Sequence, residues 1–268
     1  MKLGYIDYLN CFPFYYHMFE KQPLDGVEIL PAYPGELNQM MRNGDLDLSP
    51  ISSAAFADVQ SDVLVLPYFC LSSIGYVRSV VLNSKLPIEN LNGKKVGLTS
   101  ASQTSVVLLK VLLEKYYQVS PEYVTVSPSP EYQDIDAALV IGNEAMIEPA
   151  EPVAYTYDLG DLWIRKTGHP VVFAVFVVRK ESLEKYPEDV KDVIASYSIS
   201  LQELRTNEAG VVEKAALKYP AIHYDIGHYY ELLKFDFTPA LKDALRFYFD
   251  EAASLGLLEP VVNIDYYE

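Results

Sequence analysis

Two cysteines, four histidines and one tryptophan in 268 residues leave this chain little of the chemistry that metals, disulfides and nucleophilic thiols require. Cys11 and Cys70 stand far apart, outside any CxxC or metal-ligand spacing, which predicts two buried small side chains rather than a disulfide or a reactive thiol. Only His223 and His228 lie close together among the histidines, and no third ligand accompanies them, so no metal site is expected. Positive charge is scarce as well: 21 Lys and Arg face 37 Asp and Glu, a formal charge of -16. Phosphate binding needs clustered Lys and Arg, so nucleic acid and anionic membrane surfaces are disfavoured as partners and a small molecule is expected. If that molecule is itself an anion, the average field repels it, and helix termini or a few local cations must reverse the sign. No stretch reaches the ~18 apolar residues of a membrane span. The start Met1-Lys2-Leu3-Gly4-Tyr5-Ile6 turns polar too soon for a secretory leader, so a cytoplasmic location is expected. Absence of GxSxG, GxxxxGK[ST] and GxGxxG patterns removes support for hydrolase and nucleotide-dependent readings.

What the chain does have is a repeated junction between a short apolar stretch and a helix start rich in hydrogen-bond donors. Lys95-Val96-Gly97-Leu98-Thr99 runs into Ser102-Gln103-Thr104-Ser105. Leu3-Gly4-Tyr5-Ile6-Asp7 runs into Asn10-Cys11-Phe12-Pro13, and Leu46-Asp47-Leu48-Ser49-Pro50-Ile51 into Ser52-Ser53-Ala54-Ala55-Phe56. The first turn of a helix carries unpaired N–H groups and about half a positive charge, so it stabilises a carboxylate without a basic side chain. Simple N-capping explains any one such junction equally well. Three of them suit an open α/β sheet, in which ligands bind beyond the carboxyl ends of strands, and predict one shared crevice.

Along the chain, residues 1–84 read as βαβαβ, with a helix from Gly35 to Asn43 and a long apolar strand from Ile74 to Leu82. The turn-rich segment from Asn83 to Gly93 interrupts the pattern, and a new strand-helix unit begins at Lys94, with Val106, Leu109, Leu112, Leu113 and Tyr116 at helical spacing. The run Val171-Val172-Phe173-Ala174-Val175-Phe176-Val177-Val178 is apolar on both faces and suits a strand crossing back between lobes. Helices follow from Pro187 to about Leu204, from Glu208 to Lys218, and from a Thr238 cap through Pro239 to Ser254. Two crossings predict an α/β fold of two lobes with the cleft between them: residues 1–84 and 176–268 in the first, 85–175 in the second. The 22 tyrosines, several in pairs such as Tyr229-Tyr230, read as surface and packing residues, and none is assigned to the site.

Beyond these patterns, the chain resembles the menaquinone-biosynthesis family that includes chorismate dehydratase of the futalosine route. The resemblance rests on Tyr8-Leu9-Asn10-Cys11-Phe12-Pro13, Gly44-Asp45-Leu46-Asp47 with Ser52-Ser53, Gly75-Tyr76-Val77-Arg78-Ser79-Val80, Ser102-Gln103-Thr104-Ser105 and Ile141-Gly142. It continues through Asp158-Leu159-Gly160, Trp163, Thr167-Gly168, Pro170 and Phe173-Ala174-Val175, and so covers most of residues 1 to about 180. It implies a type II periplasmic-binding-protein fold and the loss of water from chorismate to give 3-[(1-carboxyvinyl)oxy]benzoate, with no cofactor and a chorismate-like dicarboxylate as the partner. Alternatives are a non-catalytic binding protein for a small carboxylate and the sibling enzyme forming 1,4-dihydroxy-6-naphthoate.

Carried over by position, the resemblance makes Asn10 the catalytic residue, orienting the ring or bonding the departing hydroxyl, and makes Ser52, Ser53, Ser79, Ser102, Thr104 and Ser105 the substrate-binding hydroxyls. No side chain declares itself as the base, and a carboxylate of the substrate is expected to take the proton. Asp7, Arg78, Asn143 and His169 rank second. Asp7 reads first as a turn residue, and Arg78 as a surface charge. Asn143 stands where the family commonly has Asp, in Ile141-Gly142-Asn143-Glu144-Ala145-Met146, and His169 replaces an apolar residue beside Pro170. These two departures leave the substrate's identity open.

Overall fold

A computed structural model describes residues 1–147 and 153–268. Six strands make the first sheet: β1 (Lys2–Ile6), β2 (Glu28–Ala32), β3 (Leu48–Ser52), β4 (Val63–Ser73), β10 (Val171–Arg179) and β11 (Leu233–Asp236), in the order β11-β4-β10-β3-β1-β2. Five make the second: β5 (Val80–Ser84), β6 (Lys95–Thr99), β7 (Glu122–Val126), β8 (Ala137–Ile141) and β9 (Tyr155–Asp158), in the order β7-β6-β8-β5-β9. Both sheets are mixed. β1 pairs in parallel with β2 and β3, and β6 with β7 and β8, while β10 and β5 run antiparallel to their neighbours. Helices α1 (Phe12–Glu20) and α2 (Pro34–Asn43) connect the parallel strands of the first sheet, and Pro13 and Pro34 fall in their first turns, where a missing N–H costs nothing. A 3-10 turn (Ser53–Ala55) and α3 (Phe56–Val59) follow β3. In the second sheet α4 (Gln103–Val111), continued by a π turn at Leu112–Tyr116, links β6 to β7, and α5 (Gly142–Met146) follows β8.

The chain changes sheets earlier than its sequence suggests. The apolar run expected to be one strand over Ile74–Leu82 is broken, because Gly75 and Arg78 take left-handed backbone at φ +87° and +69°, which ends ladder pairing. β5 therefore belongs wholly to the second sheet, and the first crossing lies at residues 74–79 instead of 84/85. The return is corrected likewise. β10 sits entirely in the first sheet, antiparallel between β3 and β4, so the second crossing lies at 168–170. Its apolarity on both faces reflects a covered central strand, not a segment spanning the lobes.

Asp158 fixes the first crossing. Its carboxylate caps α6 (Leu159–Thr167) through Asp161 N–H at 3.0 Å and accepts the backbone N–H groups of Val77 at 3.1 Å and Arg78 at 2.7 Å. Removing it strands buried donors and a helix cap, so Asp158→Ala is expected to cost about 2–4 kcal/mol, read by urea unfolding. A loss below about 0.5 kcal/mol would contradict this anchoring role.

The tail is helical: α7 (Lys180–Lys185), α8 (Pro187–Thr206), α9 (Glu208–Lys218), α10 (Ile226–Leu232) and α11 (Pro239–Ser254). Thr238 caps α11, its Oγ1 accepting Leu241 N–H, and Pro239 opens the helix as its sequence dictates. Though expected to finish on the first lobe, α11 packs on both. It covers β10, and its Phe247 and Tyr248 rings meet Trp163 of α6 at centroid distances of 5.9 and 6.2 Å. Glu251 accepts hydrogen bonds from Lys115 and Tyr116 at 2.7 Å each. Among the described residues no helix is long and apolar enough to cross a membrane. Cys11 and Cys70 are both free and buried, and burial pushes the Cys70 thiol up to about 12, far from a nucleophile at neutral pH.

Candidate active site between the two sheets

The turn joining β1 to α1 carries Asn10, and it is tied down on both sides of Leu9. Leu9 N–H donates to Asn143 Oδ1 of the second lobe at 2.9 Å, and Tyr230 OH of α10 donates to Leu9 O at 3.2 Å. Asn10 Oδ1 is buried without a hydrogen-bond partner. It faces a narrow hollow of about 40 Å³ between the sheets, lined by Asn10, Ser52, Ser79, Ser102 and Ser105, with Leu71, Val77, Ile141 and Phe173 among its apolar walls. Three of these serines come from separate segments: Ser52 ends β3, Ser79 precedes β5 and Ser102 caps α4. Ser105, in the first turn of α4, donates its N–H to Ser102 Oγ at 3.2 Å, so a positive helix end borders the hollow. No Asp, Glu, His, Lys or Arg lines it among the described residues.

Two of the expected hydroxyls serve the framework instead. Ser53 Oγ donates to Val172 O at 2.7 Å, and Thr104 Oγ1 donates to Phe173 O at 2.9 Å while accepting Ala54 N–H at 3.1 Å. Both are fully buried and clamp the start of β10 to the two helix starts. A helix turn directs successive side chains to different faces, so Ser102 and Ser105 reach the hollow and Thr104 between them does not.

The second-rank candidates are dispersed. Asp7 and Asn143 lie in an outer cavity of about 480 Å³ on the far side of Tyr8, whose ring lines both spaces. There Asp7 is partly exposed and held by Tyr219 OH at 2.8 Å and Lys218 Nζ at 3.1 Å. Arg78 is not a surface charge on a strand, because it sits in the left-handed turn before β5. Its guanidinium donates to Ala145 O at 2.8 Å and lies over the Tyr224 ring, away from the hollow. His169 stacks on Phe247 with ring centroids 4.0 Å apart and does not line the hollow. A carboxylate stands one residue on from Asn143. Glu144 accepts from Tyr33 OH across the cleft at 3.2 Å and stands beside the buried Tyr8 hydroxyl, whose pKa burial and this carboxylate both raise.

The tyrosines correct the sequence reading most. Tyr8 forms a wall of the hollow, and Tyr229 of α10, fully buried, donates its hydroxyl to Ser79 Oγ at 2.7 Å. The paired Tyr229-Tyr230 was visible as a cluster, but nothing local tells that α10 returns to the cleft. Further bonds join the lobes. Gly35 N–H donates to Ala101 O at 2.8 Å, and Gln103 N–H approaches Ser52 Oγ at 3.4 Å.

Two mixed α/β sheets joined by two crossings, with a donor-lined hollow at the strand ends, define a two-lobed fold of the periplasmic-binding-protein type. The chain overlays the aliphatic sulphonate binding protein SsuA from Escherichia coli with a TM-score of 0.64 at 12% identity, covering 96% of this chain and 86% of that one. The model of the menaquinone biosynthesis family matches residues 1–254, and the chain belongs to that family. It is 33% identical over 197 residues to the chorismate dehydratase of Thermus thermophilus, covering 67% of this chain and 70% of that protein. To the 1,4-dihydroxy-6-naphtoate synthase of the same organism it is 23% identical over 145 residues, 54% of this chain and 53% of that protein.

Proposed function

We propose that the chain is a lyase that removes water from chorismate to give 3-[(1-carboxyvinyl)oxy]benzoate. The observation that carries this reading is the composition of the hollow: converging amide and hydroxyl groups, apolar walls, and, among the described residues, no carboxylate, imidazole, amine or guanidinium. Dehydration removes the ring C3 proton and the C4 hydroxyl, the C–H electron pair becoming a ring double bond as the ring turns aromatic. That driving force leaves the protein chiefly the task of holding the substrate in register. Asn10 bonds the departing hydroxyl with an amide that both donates and accepts. Ser52, Ser102 and Ser105, with the end of α4, hold carboxylate oxygens, and a substrate carboxylate takes the C3 proton because the lining offers no carboxylate, imidazole or amine; the proton ends on the departing hydroxide, which leaves as water. Asp7, tied to Lys218 and Tyr219 outside the hollow, has no part in this.

A hollow of about 40 Å³ is smaller than the substrate's ring, so admission requires the lobes to part at their two crossings and close again, the hinge motion open to this architecture. The cytoplasmic location expected from the sequence belongs to the same proposal. The test is to incubate the purified protein with chorismate, following its diene absorbance and the product's mass. Loss of one water with loss of the diene supports the lyase. Binding without conversion favours a receptor for a small carboxylate, the common occupation of such folds. In the same assay Asp7→Asn is expected to keep kcat within about threefold of the unaltered chain, and a dead Asp7→Asn variant that still binds chorismate overturns the substrate-as-base step.

A further inference from the structure

Behind the hollow, α10 places two adjacent phenols against its two key segments. Tyr230 OH holds Leu9 O, at the Asn10 turn, and Tyr229 OH donates to Ser79 Oγ. The Asn10 side chain stands against the same Tyr229 oxygen. Asn10 lowers this phenol's pKa, as a donor to its oxygen does, and Asn10 Oδ1 has no partner, which together assign the amide nitrogen to the phenol. A serine hydroxyl has one proton to give and two lone pairs. With one lone pair occupied by Tyr229, and no acceptor for Ser79 Oγ among the described residues, the Ser79 proton is left for the hollow.

We infer that Tyr229 is a positioning residue for the proposed dehydration: its hydroxyl, set between the Asn10 amide and Ser79, orders the chain Asn10 → Tyr229 → Ser79 so that Ser79 presents a donor and Asn10 Oδ1 an acceptor to the substrate. The assignment rests on the reading of this hollow as the chorismate site. It does not place Tyr229 in contact with substrate, since the phenol is buried behind Ser79 and absent from the lining. Without its hydroxyl the ring still fills the same space, while Ser79 is free to turn its proton away.

The test is Tyr229→Phe, assayed with chorismate beside the unaltered chain. On this assignment kcat falls about tenfold, KM stays within about twofold, and the thermal midpoint moves little. In a Ser79→Ala background the same change then costs less, because one of the two groups it orients is gone. A Tyr229→Phe kcat within about twofold of the unaltered chain overturns the assignment, as does a loss of the same size with and without Ser79, which marks a purely structural part. Should Tyr229→Phe not fold, 3-fluorotyrosine at 229 keeps the shape and strengthens the donor, and an unmoved kcat then overturns it. Failure of the unaltered chain to consume chorismate overturns the reading of the site and this assignment with it, whereas turnover unchanged by Tyr229→Phe overturns this assignment alone.

Discussion

Asn10→Ala is expected to lower kcat for chorismate by about 10²–10³-fold, the range found when one preorganised hydrogen-bonding group is removed from a reacting centre. Chorismate binding, read by calorimetry, is expected to change much less. The split follows from where the amide sits. Its turn is anchored through Leu9 to both Asn143 and Tyr230, so the side chain is held by neighbours that survive its truncation. The carboxylate seat proposed above, by contrast, draws on Ser52, Ser102, Ser105 and the end of α4, none of which depends on Asn10. Asn10 Oδ1 is left buried and unpaired, an arrangement that costs stability and persists where a ligand is to be met. Equal loss of binding and turnover would make Asn10 part of the seat and not of the chemistry.

Gly142→Ala is expected to raise KM by about 10–100-fold, with a loss of about 1–2 kcal/mol in stability. Gly142 opens α5 at φ +64°, a conformation that disfavours side chains, and this accounts for the stability loss. The larger effect is on closure. A Cβ at 142 would stand 2.4 Å from the Tyr8 ring of the opposite lobe, and that ring is itself buried. Parting the lobes relieves the clash more easily than moving a buried tyrosine, so the closed form is penalised and the apparent affinity falls by the fraction lost. An unchanged KM would mean that Tyr8 and Gly142 separate when substrate binds.

The family resemblance and the junction pattern converge on the same residues from different directions, and particular residues mark where each succeeds. Asn10, Ser52, Ser102 and Ser105 stand where an apolar strand gives way to a helix, a signal carried by neighbours in sequence, whereas Ser79, ahead of a strand, is marked only by the family resemblance, and the structure lines one hollow with all five. Thr104 and Ser53 carry the same signal and fail, since their hydroxyls are claimed by the Phe173 and Val172 carbonyls of a strand some 70 and 119 residues away. His169 and Asn143 were singled out as departures. Only the fold assigns the first to a ring stack and the second to holding Leu9, while Glu144 supplies the cleft carboxylate.

Local chemistry fixed by the sequence alone set the helix starts at Pro13, Pro187 and Pro239, the end of α2 at Gly44, and the two-sheet α/β class, because proline geometry, caps and apolar spacing act within a few residues. The tertiary structure alone decided that β10 is a central strand, that the chain changes sheets at 74–79 and 168–170, and that Tyr229 reaches Ser79. Those outcomes depend on which surfaces are covered and which hydroxyl finds a carbonyl first, and both are settled by packing between segments far apart in the chain.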